Sequence, residues 1–111
     1  MLPYMKTQRL QEIRRRIQAI QKELCQLGPM RPGCLNAQYR NREKRTGEFY
    51  QLSYTYRMKS HTEYVRPERL AKVREQIESY QRFRQLTQEW VDLALEACRV
   101  ERELEDRQSE E

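Results

Sequence analysis

The chain has 111 residues, of which 35% are charged and 37% hydrophobic, so it holds one small domain and cannot bury a thick globular core, although long helices on a narrow seam remain open to it. The net charge is +5 but uneven: residues 1–66 carry fourteen Lys/Arg against five Asp/Glu (+9), and residues 67–111 carry eight against twelve (−4), which marks the front as a polyanion binder. No apolar run approaches the ~20 residues of a membrane span, and MLPYMKTQRLQEIRRR lacks a signal peptide's apolar middle; the expectation is a cytoplasmic protein without membrane contact.

The first predicted element is a helix over 5–27. Leu10, Ile13, Ile17, Ile20, Leu24 and Leu27 are spaced 3, 4, 3, 4, 3, an unbroken a/d seam. Gly28-Pro29 stops it, because glycine accepts the left-handed cap and proline cannot extend the hydrogen-bond ladder. After a turn-rich connector over 28–34, Leu35, Ala37 and Tyr39 alternate with polar residues as a short strand. NREKRTG, residues 41–47, reads as a charged loop. FYQLSYTY then sets Tyr50, Leu52, Tyr54 and Tyr56 on one side and Phe49, Gln51, Ser53 and Thr55 on the other. RMKS is a basic tip, HTEYV returns as a third strand, and Arg66-Pro67 closes a three-stranded meander over 35–65.

From Pro67 to Arg107 no glycine or further proline interrupts a helix. Its stripe runs Leu70, Val73, Ile77, Tyr80, Phe83, Leu86, Trp90, Leu93, Ala97, Val100 and Leu104, with a slip near Tyr80–Phe83 that overwinds the coil. Val91 and Leu95 widen it beyond a two-helix seam. Forty residues make a helix of about 60 Å, about twice the first. The surplus seam, Leu86, Trp90, Leu93, Ala97, Val100 and Leu104, is expected to seek a second chain or a larger protein partner. Residues 108–111 are an acidic tail.

Rings and cations crowd the meander. Tyr50, Leu52, Tyr54 and Tyr64 are expected to form its apolar face on a helix, leaving Phe49 and Tyr56 as exposed rings able to stack on bases. Arg40, Arg42, Lys44 and Arg45 cluster in one loop, and Arg57, Lys59 and His61 at the other, with Arg31 and Arg66 nearby. Such a ribbon suits a DNA major groove, its cations meeting phosphates and Phe49, Tyr56 and His61 meeting the groove or the bases. Arg14-Arg15-Arg16 extends the patch weakly. His61 is the only histidine and the three cysteines lie far apart, so neither a metal site nor a cofactor site is expected. No glycine-rich phosphate loop or nucleophile–base set points to an enzyme.

MRPGCLNAQYR followed by GEFYQLSYTYRMKSHTEYVRPERL resembles a small uncharacterised domain of bacteria and archaea. Its pattern is an MRPGSL opening, a QYR, GPYYYLSY, a basic turn, YV-proline and a long helix. The resemblance spans roughly residues 30–95 and rests on Met30, Arg31, Pro32, Gly33, Leu35, Gln38, Tyr39, Gly47, Tyr50, Leu52, Ser53, Tyr54, Tyr64 and Val65. It implies an accessory protein of mobile elements and carries no established activity. Many members hold a cysteine cluster after the QYR, suggestive of zinc; here that place is NREKRTG.

The expectation is therefore an α+β fold: two long helices in an antiparallel coiled-coil stalk, with a three-stranded antiparallel meander inserted between them. The expected function is non-enzymatic nucleic-acid binding, DNA favoured over RNA, as a homodimer or part of a nucleoprotein assembly. The rival is a coiled-coil adaptor that touches no nucleic acid.

Overall fold

A computed structural model describes residues 3–109. It is α+β, with helix α1 (Pro3–Gln26), strands β1 (Cys34–Asn41), β2 (Thr46–Tyr56) and β3 (Lys59–Val65), a 3-10 turn at Pro67–Arg69 and helix α2 (Leu70–Ser109). The chain divides into two compact units, one of residues 27–82 and one that joins 1–26 to 83–111.

The first unit is built on an antiparallel sheet of order β1-β2-β3. Its register pairs Leu35 with Leu52, Tyr50 with Val65, Leu52 with Glu63 and Tyr54 with His61. Directly paired residues share a face, so Leu35, Tyr50, Leu52, Tyr54 and Val65 point the same way. They close on the first turns of α2: Leu52 (fully buried), Val65, Val73 and Ile77 form the core, with Leu35, Tyr50, Tyr54 and Leu70 around it. Tyr64 is absent from this face, contrary to expectation. It pairs with Gln51 on the outer side and is 57% exposed. The β2–β3 turn holds an even number of residues, so even-numbered β2 positions meet odd-numbered β3 positions and Val65 takes the inward place.

That turn is tighter than the RMKS tip expected. Tyr56 pairs with Lys59, leaving Arg57 (φ 50°) and Met58 (φ 67°) alone between the strands. Two consecutive positive φ values match the twist of a two-residue hairpin, a geometry normally given to Asn-Gly. At the other end the charged loop shrinks from 41–47 to Arg42–Arg45, because backbone pairing continues from Asn41 to Thr46 without apolar side chains. The Lys44 amide donates to Asn41 Oδ1 at 3.1 Å and Arg45 adopts φ 50°.

The MRPG segment braces this unit. The Arg31 amide donates to the carbonyl of Gln76 at 3.1 Å. Its guanidinium lies 5.5 Å from the Tyr54 ring centroid and reaches Glu63 at 3.1 Å. Gly33 has φ 148°, and a Cβ there would collide with Leu52 Cδ1; the absent side chain is the space that Leu52 fills. Arg66 is extended (ψ 142°), as the residue before proline must be. Pro67 therefore opens a 3-10 turn, and the α-helix begins at Leu70 rather than at 67.

In the second unit, Leu10, Ile13 and Ile20 of α1 and Leu86 and Val100 of α2 are buried. Charges link the helices: Lys6–Glu103 at 3.0 Å, Arg9–Glu96 and Arg16–Glu89 at 2.5 Å each, and Arg14–Glu101 at 3.4 Å. From Arg9–Glu96 to Arg16–Glu89, seven residues forward on α1 are seven residues back on α2. This corrects the expected surplus seam. The 24 residues of α1 are matched by the stretch of α2 from Phe83 onward, while Leu70–Arg82 belongs to the sheet unit. Helix α1 ends at Gln26, leaving Leu27 outside it. Of the predicted acidic tail, Gln108 and Ser109 continue α2, and Glu110 and Glu111 lie outside the described residues. No helix among the described residues is long and apolar enough to cross a membrane.

Candidate nucleic-acid interface

The fold sorts the charge differently from the halves of the sequence. Residues 27–82 hold twelve Lys/Arg and six Asp/Glu, a net +6, and the remaining residues hold ten and eleven, a net −1. In the helical unit Lys6, Arg9, Arg14 and Arg16 all pair with carboxylates of α2. Arg9 binds Glu96 through two nitrogens, Nε at 2.5 Å and Nη2 at 2.8 Å. That hydrogen bonding holds the Glu96 carboxyl below its ordinary pKa and lifts Arg9 above its own. A hydrogen bond from Lys6 likewise lowers Glu103, and one to Glu89 raises Arg16. The Arg14-Arg15-Arg16 triplet thus does not extend the basic patch, since its first and third members are ion-paired within the chain.

The sheet unit is the reverse. Arg40, Arg42, Lys44, Arg45, Arg57, Lys59 and Arg66 are exposed. None of them forms an ion pair among the described residues. Six of them form two groups, and Arg66 follows β3. Arg40, Arg42, Lys44 and Arg45 lie at the β1–β2 end and Arg57 and Lys59 at the β2–β3 end. The 11 residues of β2 separate these ends by about 35 Å. At the first end Gly47 (φ 70°) lies against the Arg40 stem, where a Cβ would come within 2.9 Å. At the second, the Arg57 guanidinium sits 5.3 Å over the Tyr56 ring, and Met58 is 98% exposed.

The predicted ring contacts divide. Tyr56 is 55% exposed, on the same side of β2 as Tyr54. Phe49 is half-buried on the outer face, its ring 6.3 Å from that of Tyr64. His61 stacks on Tyr54 at 4.8 Å, with 17° between the planes. With Arg31 on Tyr54 as well, this ring has two partners inside the chain, and His61 is half of a fold contact. Arg31 is another: it is held by Glu63, Tyr54 and the Gln76 carbonyl. Tyr50 also belongs to the fold, donating to Glu48 at 2.8 Å with Arg74 at 5.5 Å from its ring; the hydrogen bond to Glu48 raises its pKa.

Two clefts in this unit were not foreseen. One, of about 520 Å³, is lined by Arg31, Glu63, Tyr64, Arg66 and Arg69 among others. The other, of about 550 Å³, is lined by Arg31, Tyr54, Tyr56, Arg69 and Tyr80 among others. Arg69 was missed because it reads as an ordinary charge at a helix start. Its one sequence signal is the spacing Arg66-Pro-Glu-Arg69, which a single tight turn brings together through the Arg69 amide and the Arg66 carbonyl at 2.9 Å.

The residues predicted to meet a partner mostly face inward. Leu86 and Val100 are buried, and Trp90, Leu93, Ala97 and Leu104 are half-buried. The exposed apolar positions nearby are Val91 (53%) and Leu95 (66%), which with Thr87, Trp90, Ala94 and Cys98 line a shallow cleft of about 370 Å³. No family model, curated protein or solved structure matches the chain.

Proposed function

We propose that this chain is a non-enzymatic nucleic-acid-binding accessory protein. Its basic sheet meets the phosphate backbone, with DNA favoured over RNA, as part of a larger nucleoprotein assembly such as those of mobile elements. The observation that carries this reading is the partition of charge. In the sheet unit the seven cations Arg40, Arg42, Lys44, Arg45, Arg57, Lys59 and Arg66 are exposed and outside the ion pairs of the described residues, whereas the helical unit commits four of its own to carboxylates. Unpaired Lys and Arg are what a polyanion needs, because each phosphate contact releases a condensed counterion. DNA is favoured because the β2–β3 hairpin is two-stranded beyond the Cys34–Ser53 pair, and a B-form major groove admits a two-stranded ribbon. In this reading α1 and the later turns of α2 form an antiparallel coiled-coil stalk.

The test is fluorescence anisotropy with labelled DNA and RNA across a salt series. Affinity should fall steeply as salt rises, by about 0.9 in log–log slope for each phosphate contacted on duplex DNA. Absence of salt-sensitive binding to either polymer refutes the proposal. A second reading, an adaptor that works by self-association, draws on the exposed Val91–Leu95 face. It expects a dimer in light scattering that Val91→Glu/Leu95→Glu dissociates, with no nucleic-acid affinity.

A further inference from the structure

The two unforeseen clefts of the sheet unit share a wall. Arg31 and Arg69 line both. On one side Arg66 joins them, and the carboxylate in that lining, Glu63, is already bound by Arg31 at 3.1 Å. Arg66 and Arg69 form no ion pair among the described residues. Arg31 adds a buried Nε with no hydrogen-bond partner, an unsatisfied donor of the kind that needs an explanation. On the other side the lining is aromatic, with Tyr54, Tyr56 and Tyr80. Tyr54 already carries both His61 and Arg31, whereas Tyr56 has Arg57 alone over its ring and is 55% exposed, so it is the ring that a flat ligand meets first.

We propose that these paired clefts hold one nucleotide step of a single strand, the phosphate among Arg31, Arg66 and Arg69 and the base against Tyr56 in the aromatic cleft. Guanidinium groups recognise a phosphate through paired N–H donors. A tyrosine ring takes any unstacked base. The two chemistries lie on either side of one arginine wall, as phosphate and base do along a strand. A base still stacked inside a duplex cannot enter the aromatic cleft, so the site selects single strands. This inference rests on the nucleic-acid reading and narrows it: the hairpin ends can hold any phosphate backbone, whereas this site requires a free base.

The test is anisotropy of the full chain with a fluorescein-labelled oligothymidylate and with a duplex of equal length. Variants are Arg66→Ala/Arg69→Ala, Tyr56→Ala and, as a control, Arg14→Ala/Arg15→Ala/Arg16→Ala; circular dichroism melting confirms that each folds. The single strand should bind more tightly than the duplex. Arg66→Ala/Arg69→Ala should lower its affinity at least tenfold and flatten its salt slope by about 0.7, the contribution of the one phosphate held there. Tyr56→Ala should lower affinity about fivefold or more and leave the salt slope unchanged, and the α1 control should change neither. Duplex binding as tight as single-strand binding, or single-strand binding indifferent to Arg66→Ala/Arg69→Ala, overturns this site and leaves the broader proposal standing. Failure of the unaltered protein to bind either form, or a labelled RNA of equal length, overturns both.

Discussion

The two units of this chain use the same kinds of residue to opposite ends. In the helical unit arginine is cement: Arg9 and Arg16 each grip a carboxylate of α2 with two nitrogens, and the unit's net charge is near zero. In the sheet unit most arginines stand exposed outside the ion pairs that tie Arg31 to Glu63 and the helical unit together. The apolar residues contrast as well. Leu10, Ile13, Ile20, Leu86 and Val100 make a long thin seam, whereas Leu52, Val65, Val73 and Ile77 make one compact knot. Charge count alone therefore says little about binding, and what matters is whether each cation already has a counterion in the fold.

The largest test of this division lies in the cores. Leu52→Ala removes the fully buried centre of the sheet cluster, and should cost about 2–5 kcal/mol in urea denaturation together with nucleic-acid binding. Leu86→Ala, equally buried in the helical unit, should destabilise by a similar amount. Under conditions where that variant stays folded, it should bind as the unaltered protein does. Equal loss of binding in both would show that the units do not divide the labour.

Next in size is the charge test. Alanine at Arg42, Lys44 and Arg45 should weaken duplex binding and lower the log–log salt slope by about 0.9 for each phosphate no longer held. Alanine at Arg14, Arg15 and Arg16 removes as much charge and should leave the slope unchanged. Equal slopes for the two triple variants would break the contrast.

The hairpin tip gives a smaller effect of opposite sign in two measurements. Replacing Arg57-Met58 with Asn-Gly supplies residues suited to positive φ, and should raise stability by about 1 kcal/mol. The same change removes a cation and should weaken binding. Strain kept at an exposed tip is the pattern of a functional loop, and a variant more stable yet equally good at binding would remove this support.

The smallest effect is in pH. Arg9 and Lys6 hold the Glu96 and Glu103 carboxyls below their ordinary values. The stability these pairs give is complete above the usual glutamate pKa of about 4.3. It is lost as pH falls through the lower folded values, because the carboxyls must then take up protons. Glu96→Gln should lower the melting temperature by a few degrees at most at pH 7. The difference from the unaltered protein should shrink in acid.

Much of the fold was readable from local pattern. The 3-4 spacing from Leu10 to Leu24, the alternation through Tyr50, Leu52 and Tyr54, and the lack of any breaker after Pro67 each follow from the periods of a single element. Tyr64 was misplaced because its face depends on the parity of a pairing between strands, which no single strand reveals. The cover of Leu86 and Val100 within the chain was hidden for a related reason. Heptad positions show that Leu86 and Val100 need cover, and say nothing of whether α1 or another chain supplies it. The exposure of Arg42, Lys44 and Arg45 was legible in the candidate site. The ties of Arg31 and His61 were not, since Glu63 and Tyr54 reach them only across the sheet.

By itself, then, the sequence determined the elements, the breaks between them and the places where cations gather, because periodicity, turn chemistry and charge are local properties. Only the tertiary structure decided which cations are neutralised, which rings stay open and that Arg31, Arg66 and Arg69 line one cleft. Those outcomes turn on distances of a few ångströms between residues far apart in the chain, and such distances exist only once the sheet has closed on its helix.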